Sequence, residues 1–162
     1  MKLFLSLEKA LVVVQTTSLH GRPKKIVANG VELDETTCQL QGLITDAFGN
    51  MTSLTPLDLS RNDLEGPIPL TLGLFEKESQ LNKSSSLREL YLFDNQLNGS
   101  LEQGLVQLSQ LVALDVARNY LEGNITEAHL KNFSSLRVLD LSSNQSVLNV
   151  SSSWIPPFNL KP

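Results

Sequence analysis

The sequence predicts an α/β-type repeat: a short right-handed solenoid of about four to five coils, with a parallel β-sheet on its concave face and an irregular convex side. Three observations carry this expectation. Leucine fills 32 of 162 positions, about double its ordinary usage. Those leucines recur in one pattern at one spacing. The other common uses of excess leucine are excluded, because no run approaches the roughly 18 apolar residues of a membrane span. Nine glycines, seven prolines and twelve asparagines also interrupt any coiled-coil heptad.

The pattern is carried by four segments that begin at Leu54, Leu87, Leu111 and Leu136. In the second, Leu87, Leu90, Leu92, Asn95, Leu97 and Gly99 fall at fixed offsets, giving LxxLxLxxNxLxG. The others repeat LxxLxLxxN around Leu57, Leu59 and Asn62; Leu114, Val116 and Asn119; and Leu139, Leu141 and Asn144, the first and third continuing as xLxG while Ser146 replaces the leucine in the fourth. The steps from Asn95 to Asn119 and from Asn119 to Asn144 both fall within the period of leucine-rich repeats, about 20–29 residues. Each position has a physical reason. The Leu-x-Leu pair makes a short strand with alternate side chains inward, expected near residues 57–60, 90–93, 114–117 and 139–142. The asparagine amide both donates and accepts, so a ladder of Asn62, Asn95, Asn119 and Asn144 can satisfy backbone groups where each coil turns. Cys38 stands at the equivalent position of an earlier half-copy, an exchange the pattern tolerates. The glycine admits a backbone approach that a Cβ would obstruct. Pro56 lies at a strand start, where its missing donor is tolerated.

The continuation is more specific. Leu64-Glu-Gly66-Pro-Ile68-Pro69 reads LxGxIP, with weaker copies at Leu97–Leu101 and Leu121–Ile125. These motifs resemble the plant-specific class of leucine-rich repeats. Over residues 36–160, stretches such as LVALDVARNYLEGNI resemble the ectodomains of plant receptor-like proteins, and are similar to the receptors for fungal ethylene-inducing xylanase. That resemblance implies ligand or co-receptor binding in defence signalling, at the extracellular side of the plasma membrane. The implied partners are a protein or peptide elicitor and a co-receptor. Such receptors have longer arrays, a cysteine-paired cap, a membrane span and a tail, so the chain reads as a truncated piece. Two other expectations are a receptor fragment without function and a secreted inhibitor of microbial cell-wall hydrolases.

One domain is expected, a solenoid over 31–162, preceded by an atypical signal-like or capping segment over 1–30. The solenoid should carry an insertion near 70–86, since the step from Asn62 to Asn95 is too long for one coil of this class. Its last repeat should be cut short. Met1–Val14 opens like a secretory signal, but Glu8 and Lys9 interrupt it and no small-x-small cleavage site follows. An amphipathic segment over the first coil is the simpler expectation. Seven N-x-[ST] sequons occur where roughly two would arise by chance. Asn50, Asn82, Asn98, Asn124, Asn132 and Asn149 are the expected glycan acceptors; Asn144 belongs to the ladder and should be buried.

Chemistry is largely excluded. A net charge of −4 gives no basic face for nucleic acid. One cysteine and two histidines are too few for the three or four N/S ligands of a zinc site, and no cofactor is expected. His20 and His129 lack a spaced Ser or Cys partner. The carboxylates of a shallow open sheet lack the cleft that raises one pKa for glycosidase chemistry, so no enzyme is expected. Function is placed on the outward strand positions. Asp58, Tyr91, Asp115 and Asp140 should form one column, with Arg61, Asp94, Arg118 and Ser143 in another. Glu89 and Phe93 complete the expected ligand face; Pro56, Ser60, Ala113, Ala117, Val138 and Ser142 are further positions expected to point outward. Tyr91 and Phe93 are aromatics of the kind that anchor interfaces.

Overall fold

The structure is a computed structural model that describes residues 2–7, 10–15, 25–28, 31–34, 40–44, 56–73 and 87–161. In chain order, β1 (Lys2–Leu7) pairs antiparallel with β2 (Ala10–Gln15). Next come β3 (Lys25–Ala28), β4 (Val31–Asp34), β5 (Gln41–Leu43), β6 (Pro56–Asp58) and β7 (Asp63–Gly66). A 3-10 turn over Leu70–Gly73 precedes β8 (Glu89–Tyr91), β9 (Gln96–Ser100) and α1 (Leu101–Gln107). Then follow β10 (Ala113–Asp115), β11 (Tyr120–Glu122), β12 (Asn124–Ile125), α2 (Glu127–Leu130), β13 (Val138–Asp140) and β14 (Val147–Leu148).

The concave sheet is the one the repeat demands. Strands β6, β8, β10 and β13 pair in parallel, with Leu57, Leu90, Leu114 and Leu139 in one row. At the β6 edge the sheet continues antiparallel through β3 and β4. The strands start one residue earlier than expected and stop at the column of Asp58, Tyr91, Asp115 and Asp140. The backbone ladder nonetheless runs past that column: Leu59 N donates to Tyr91 O at 2.9 Å, Leu92 N to Asp115 O at 2.8 Å and Val116 N to Asp140 O at 3.0 Å. Leu59, Leu92 and Val116 are buried in single file. Leu141 continues that file, partly buried against the core.

β6 pairs directly with β8, so among the described residues no further strand stands between the coils of Asn62 and Asn95. Residues 74–86, most of the expected insertion, lie outside the described residues.

The convex side holds the short helical turns expected of an irregular connection. The stretch just after each asparagine is more regular than expected: β5, β7, β9 and β11 form a second parallel ladder, one strand per coil. The xLxG tail makes it, with Leu64, Leu97 and Leu121 turned into the core. Gly66 shows why glycine ends the motif. Its φ is +76°, and a Cβ there would come 2.3 Å from Leu43 Cδ2 of the preceding coil.

The core between the two ladders is aliphatic and runs from Leu40 to Leu136, with Phe133 fully buried. Trp154 and Phe158 pack edge to face at 6.0 Å and lean on its far end. There the rungs keep their register. Val112 N donates to Arg88 O, Arg137 N to Val112 O and Lys161 N to Arg137 O, at 2.6, 2.7 and 2.8 Å. Leu160 and Lys161 therefore stand where Leu136 and Arg137 stand one coil earlier.

Candidate ligand-binding face

The asparagine ladder fixes the geometry behind the face. Asn95 Oδ1 accepts from Leu64 N at 3.0 Å, and its Nδ2 donates to Leu59 O and Leu92 O, each at 3.0 Å. Asn119 repeats this with Leu97 N, Leu92 O and Val116 O. Asn144 does so with Leu121 N, Val116 O and Leu141 O. Each amide thus ties its own coil to the one before. Asn62 Oδ1 accepts from Leu40 N at 3.0 Å. Cys38 lies outside the described residues, as do Asn50 and Asn82. Leu40, two residues after Cys38, holds the place that Leu64, Leu97 and Leu121 hold.

In front of the ladder, both expected columns are present. Asp58 is in register with Tyr91, Tyr91 with Asp115, and Asp115 with Asp140. Arg61 N donates to Phe93 O at 2.8 Å, Asp94 N to Ala117 O at 2.9 Å and Arg118 N to Ser142 O at 2.9 Å, which aligns the second column. That column has a property the pattern did not announce. Arg61, Asp94, Arg118 and Ser143 all have φ between 55° and 59°, the left-handed region that non-glycine residues seldom adopt. The chain must reverse from strand to ladder within two residues, and the asparagine bonds hold it there.

The aspartates have a structural job as well as a charge. Asp58 Oδ1 accepts from Ser60 N at 3.0 Å, Asp115 Oδ1 from Ala117 N at 3.1 Å and Asp140 Oδ1 from Ser142 N at 2.9 Å. The Ser60 hydroxyl also donates to Asp58 Oδ1. These side-chain turns close the strand just before the left-handed residue. The signal was available in the sequence as an aspartate ending three of the four strands. In the second coil Tyr91 replaces the aspartate, and its hydroxyl instead donates to Glu89 Oε2 at 3.1 Å. Phe93 follows on the same side, with the Arg61 guanidinium 5.2 Å above its ring centre, within cation–π range.

Asp58, Glu89, Tyr91, Phe93, Asp94, Asp115 and Asp140 are half-buried, while Arg61 and Arg118 are exposed. Three expected outward positions are corrected: Ser60, Ala113 and Ala117 are buried, because their short side chains lie beneath longer neighbours. Tyr91 and Phe93 are half-buried where exposure was expected, Tyr91 bonded to Glu89 and Phe93 beneath the Arg61 guanidinium. Burial pushes the Tyr91 hydroxyl above its ordinary pKa, helped by Glu89 and the nearby aspartates. Burial also raises Asp115, with Asp140 and Asp58 adding to the effect and the Ala117 N–H opposing it. Asp140 moves the other way: bonds from the Ser142 hydroxyl and N–H, and the charge of Arg118, hold it below the ordinary value.

His129 is structural: its Nδ1 accepts from Thr126 N at 3.0 Å at the start of α2. His20 lies outside the described residues. Among the described residues no group of three metal-ligating side chains comes together, and no helix is long and apolar enough to cross a membrane.

Two models of the leucine-rich repeat family match residues 50–68 and 86–108. Receptor-like protein 35 of Arabidopsis thaliana is 34% identical over 126 residues, covering 78% of this chain and 12% of its own length. Receptor-like protein EIX1 of Solanum lycopersicum is 56% identical over 41 residues, covering 25% of this chain and 4% of its own length. The chain therefore spans a small part of the curated relatives it matches. Among solved structures, the plant peptide hormone receptor RGFR1 in complex with RGF2 superposes with a TM-score of 0.56 at 30% identity. That match covers 67% of this chain and 16% of the receptor. With the repeat register, both ladders and these likenesses in place, the chain belongs to the leucine-rich repeat proteins, as a solenoid of the plant receptor-like ectodomain type.

Proposed function

We propose that the protein is a non-catalytic binding module that takes a protein or peptide ligand across its concave face, with a co-receptor completing a defence-signalling complex. The observation that carries this reading is the central coil. Tyr91 and Phe93 stand two residues apart on one short strand and its continuation, Tyr91 in register with Asp58 and Asp115 and Phe93 beneath the Arg61 guanidinium. Amphipathic aromatics bury much area at low entropic cost and dominate interface energies. The solved peptide hormone receptor with RGF2 bound is built on the same repeat, which supports a peptide as the ligand class. The likeness to EIX1 supports the immune setting and an extracellular location.

The test is direct binding to immobilised protein, with fungal xylanase and a synthetic panel of secreted plant peptides as probes. Tyr91→Ala and Phe93→Ala should each weaken binding at least tenfold while leaving the unfolding midpoint nearly unchanged, since neither side chain belongs to the core cluster. Unchanged affinity in both variants removes the concave face from the account.

A further inference from the structure

We propose that Asn98, Asn124, Asn132 and Asn149 are N-glycan acceptors, and that their glycans wall off the return side of the coils while leaving the concave face bare. The sequons themselves say only that an acceptor triplet exists. Geometry sorts them. The side chains of these four asparagines are exposed and, among the described residues, hold no other group by a hydrogen bond, Asn124 being held through its backbone N–H, which donates to Glu102 Oε1. Each follows the ladder asparagine of its coil: Asn98 on β9, Asn124 on β12, Asn132 after α2, and Asn149 just after β14. Among the described residues no triplet falls on β6, β8, β10 or β13, or on the left-handed column beside them.

Asn144 is the internal contrast. It heads a triplet too, yet its Nδ2 donates to Val116 O, Leu141 O and Ser142 O at 2.9, 3.1 and 3.3 Å, and its Oδ1 holds Leu121 N. Glycosylation forms a bond from the amide nitrogen to the anomeric carbon of a lipid-pyrophosphate-linked oligosaccharide. The bond from that carbon to the pyrophosphate oxygen breaks, and the lipid pyrophosphate departs. The nitrogen gives up one proton and gains a sugar. At Asn144 this would remove a donor from three carbonyls and force a sugar between two coils. At the other four positions the amide is exposed and holds no bond to another coil.

The placement also has a surface rationale. Val147 and Leu148 are 60% and 54% exposed, in register with Asn124 and Ile125 and directly before Asn149. Sugars on Asn124 and Asn149 flank this apolar strip from neighbouring coils, where the C–H faces of sugar rings can cover it.

The test uses the full chain behind a cleavable heterologous secretion signal, expressed in plant cells. The secreted, folded protein is treated with peptide N-glycosidase in heavy-oxygen water and mapped by mass spectrometry. Isotope-tagged aspartate is expected at positions 98, 124, 132 and 149, with Asn144 untagged. Asn98→Gln, Asn124→Gln, Asn132→Gln and Asn149→Gln should each remove one glycan from the intact mass and leave the tags at the other three positions. Secreted protein that lacks a tag at any of the four positions, or that carries one at Asn144, overturns the assignment.

Discussion

Asn119 is bonded on both sides of a coil boundary, and Leu97 N has its acceptor there. Its amide serves Leu97 N, Leu92 O, Val116 O and Ala117 O, in a site only 5% exposed. Asn119→Ala leaves Leu97 N without its acceptor, while Leu92 O, Val116 O and Ala117 O keep Asn95 Nδ2, Asn144 Nδ2 and Asp94 N. This should cost about 1–3 kcal/mol by denaturant unfolding, and a loss near zero would mean that water or a local shift replaces the amide. Asn144, half-buried at the end of the described array, should cost less when treated alike. The two shifted aspartates separate by sign. The fold raises Asp115, so its ionised form opposes folding above the ordinary carboxylate range, and that penalty fades as pH falls through the range. The fold lowers Asp140, so its contribution is stabilising above the ordinary carboxylate value and is lost as pH falls through the depressed one. Asp115→Asn, which keeps an acceptor for Ala117 N, should therefore be more stable than the parent at neutral pH. Asp140→Asn should be less stable. Both differences should shrink on acidification, as chemical denaturation at neutral and acid pH will show.

At the scale of the element, the two ladders differ in how far the sequence announces them. The inward rungs were legible because Leu-x-Leu on a two-residue period has one reading next to an asparagine at a fixed offset, and Leu57, Leu90 and Leu114 lie fully buried as that reading requires. The return ladder was not, because Leu64, Leu97 and Leu121 offer one leucine per strand, too little for a period. What pairs those strands is the asparagine amide behind them and the glycine that lets the next coil approach. The left-handed column was hidden for a related reason: Arg61 and Arg118 have no propensity for a positive φ, and only the closure of the coil imposes it. The glycines test this account. Gly66 combines φ of +76° with a Leu43 side chain at 2.3 Å from any added Cβ, whereas Gly42 has φ of +86° and nothing within 4 Å. Gly42→Ala should cost only the backbone term, about 1 kcal/mol. Gly66→Ala must also displace Leu43 and should cost roughly twice that. Equal losses by thermal unfolding would mean that Leu43, 64% exposed, simply swings aside.

Across the whole molecule, stability is shared between neighbouring coils, so a side chain's worth depends on how many coils flank it. Leu114 is fully buried with Leu90 on one side and Leu139 on the other. Leu139 packs on the core from one side and is only partly buried, and among the described residues no strand pairs with the outer edge of β13. Val138 and Leu160 near that edge are 41% and 43% exposed. Leu114→Ala should therefore cost about 3–4 kcal/mol, since the cavity is walled by two coils that cannot both collapse into it. Leu139→Ala should cost roughly 1–2 kcal/mol, because solvent already reaches part of its site. Amide exchange should follow the same gradient. Leu92 and Val116, whose N–H groups bond across the middle of the array, should be the slowest. Asn149 and Lys161, whose bonds lie at the far end of the described array, should exchange faster, through local opening. Uniform protection from Leu92 to Lys161 would mean that the coils unfold as one block and that neighbour-by-neighbour sharing is the wrong description.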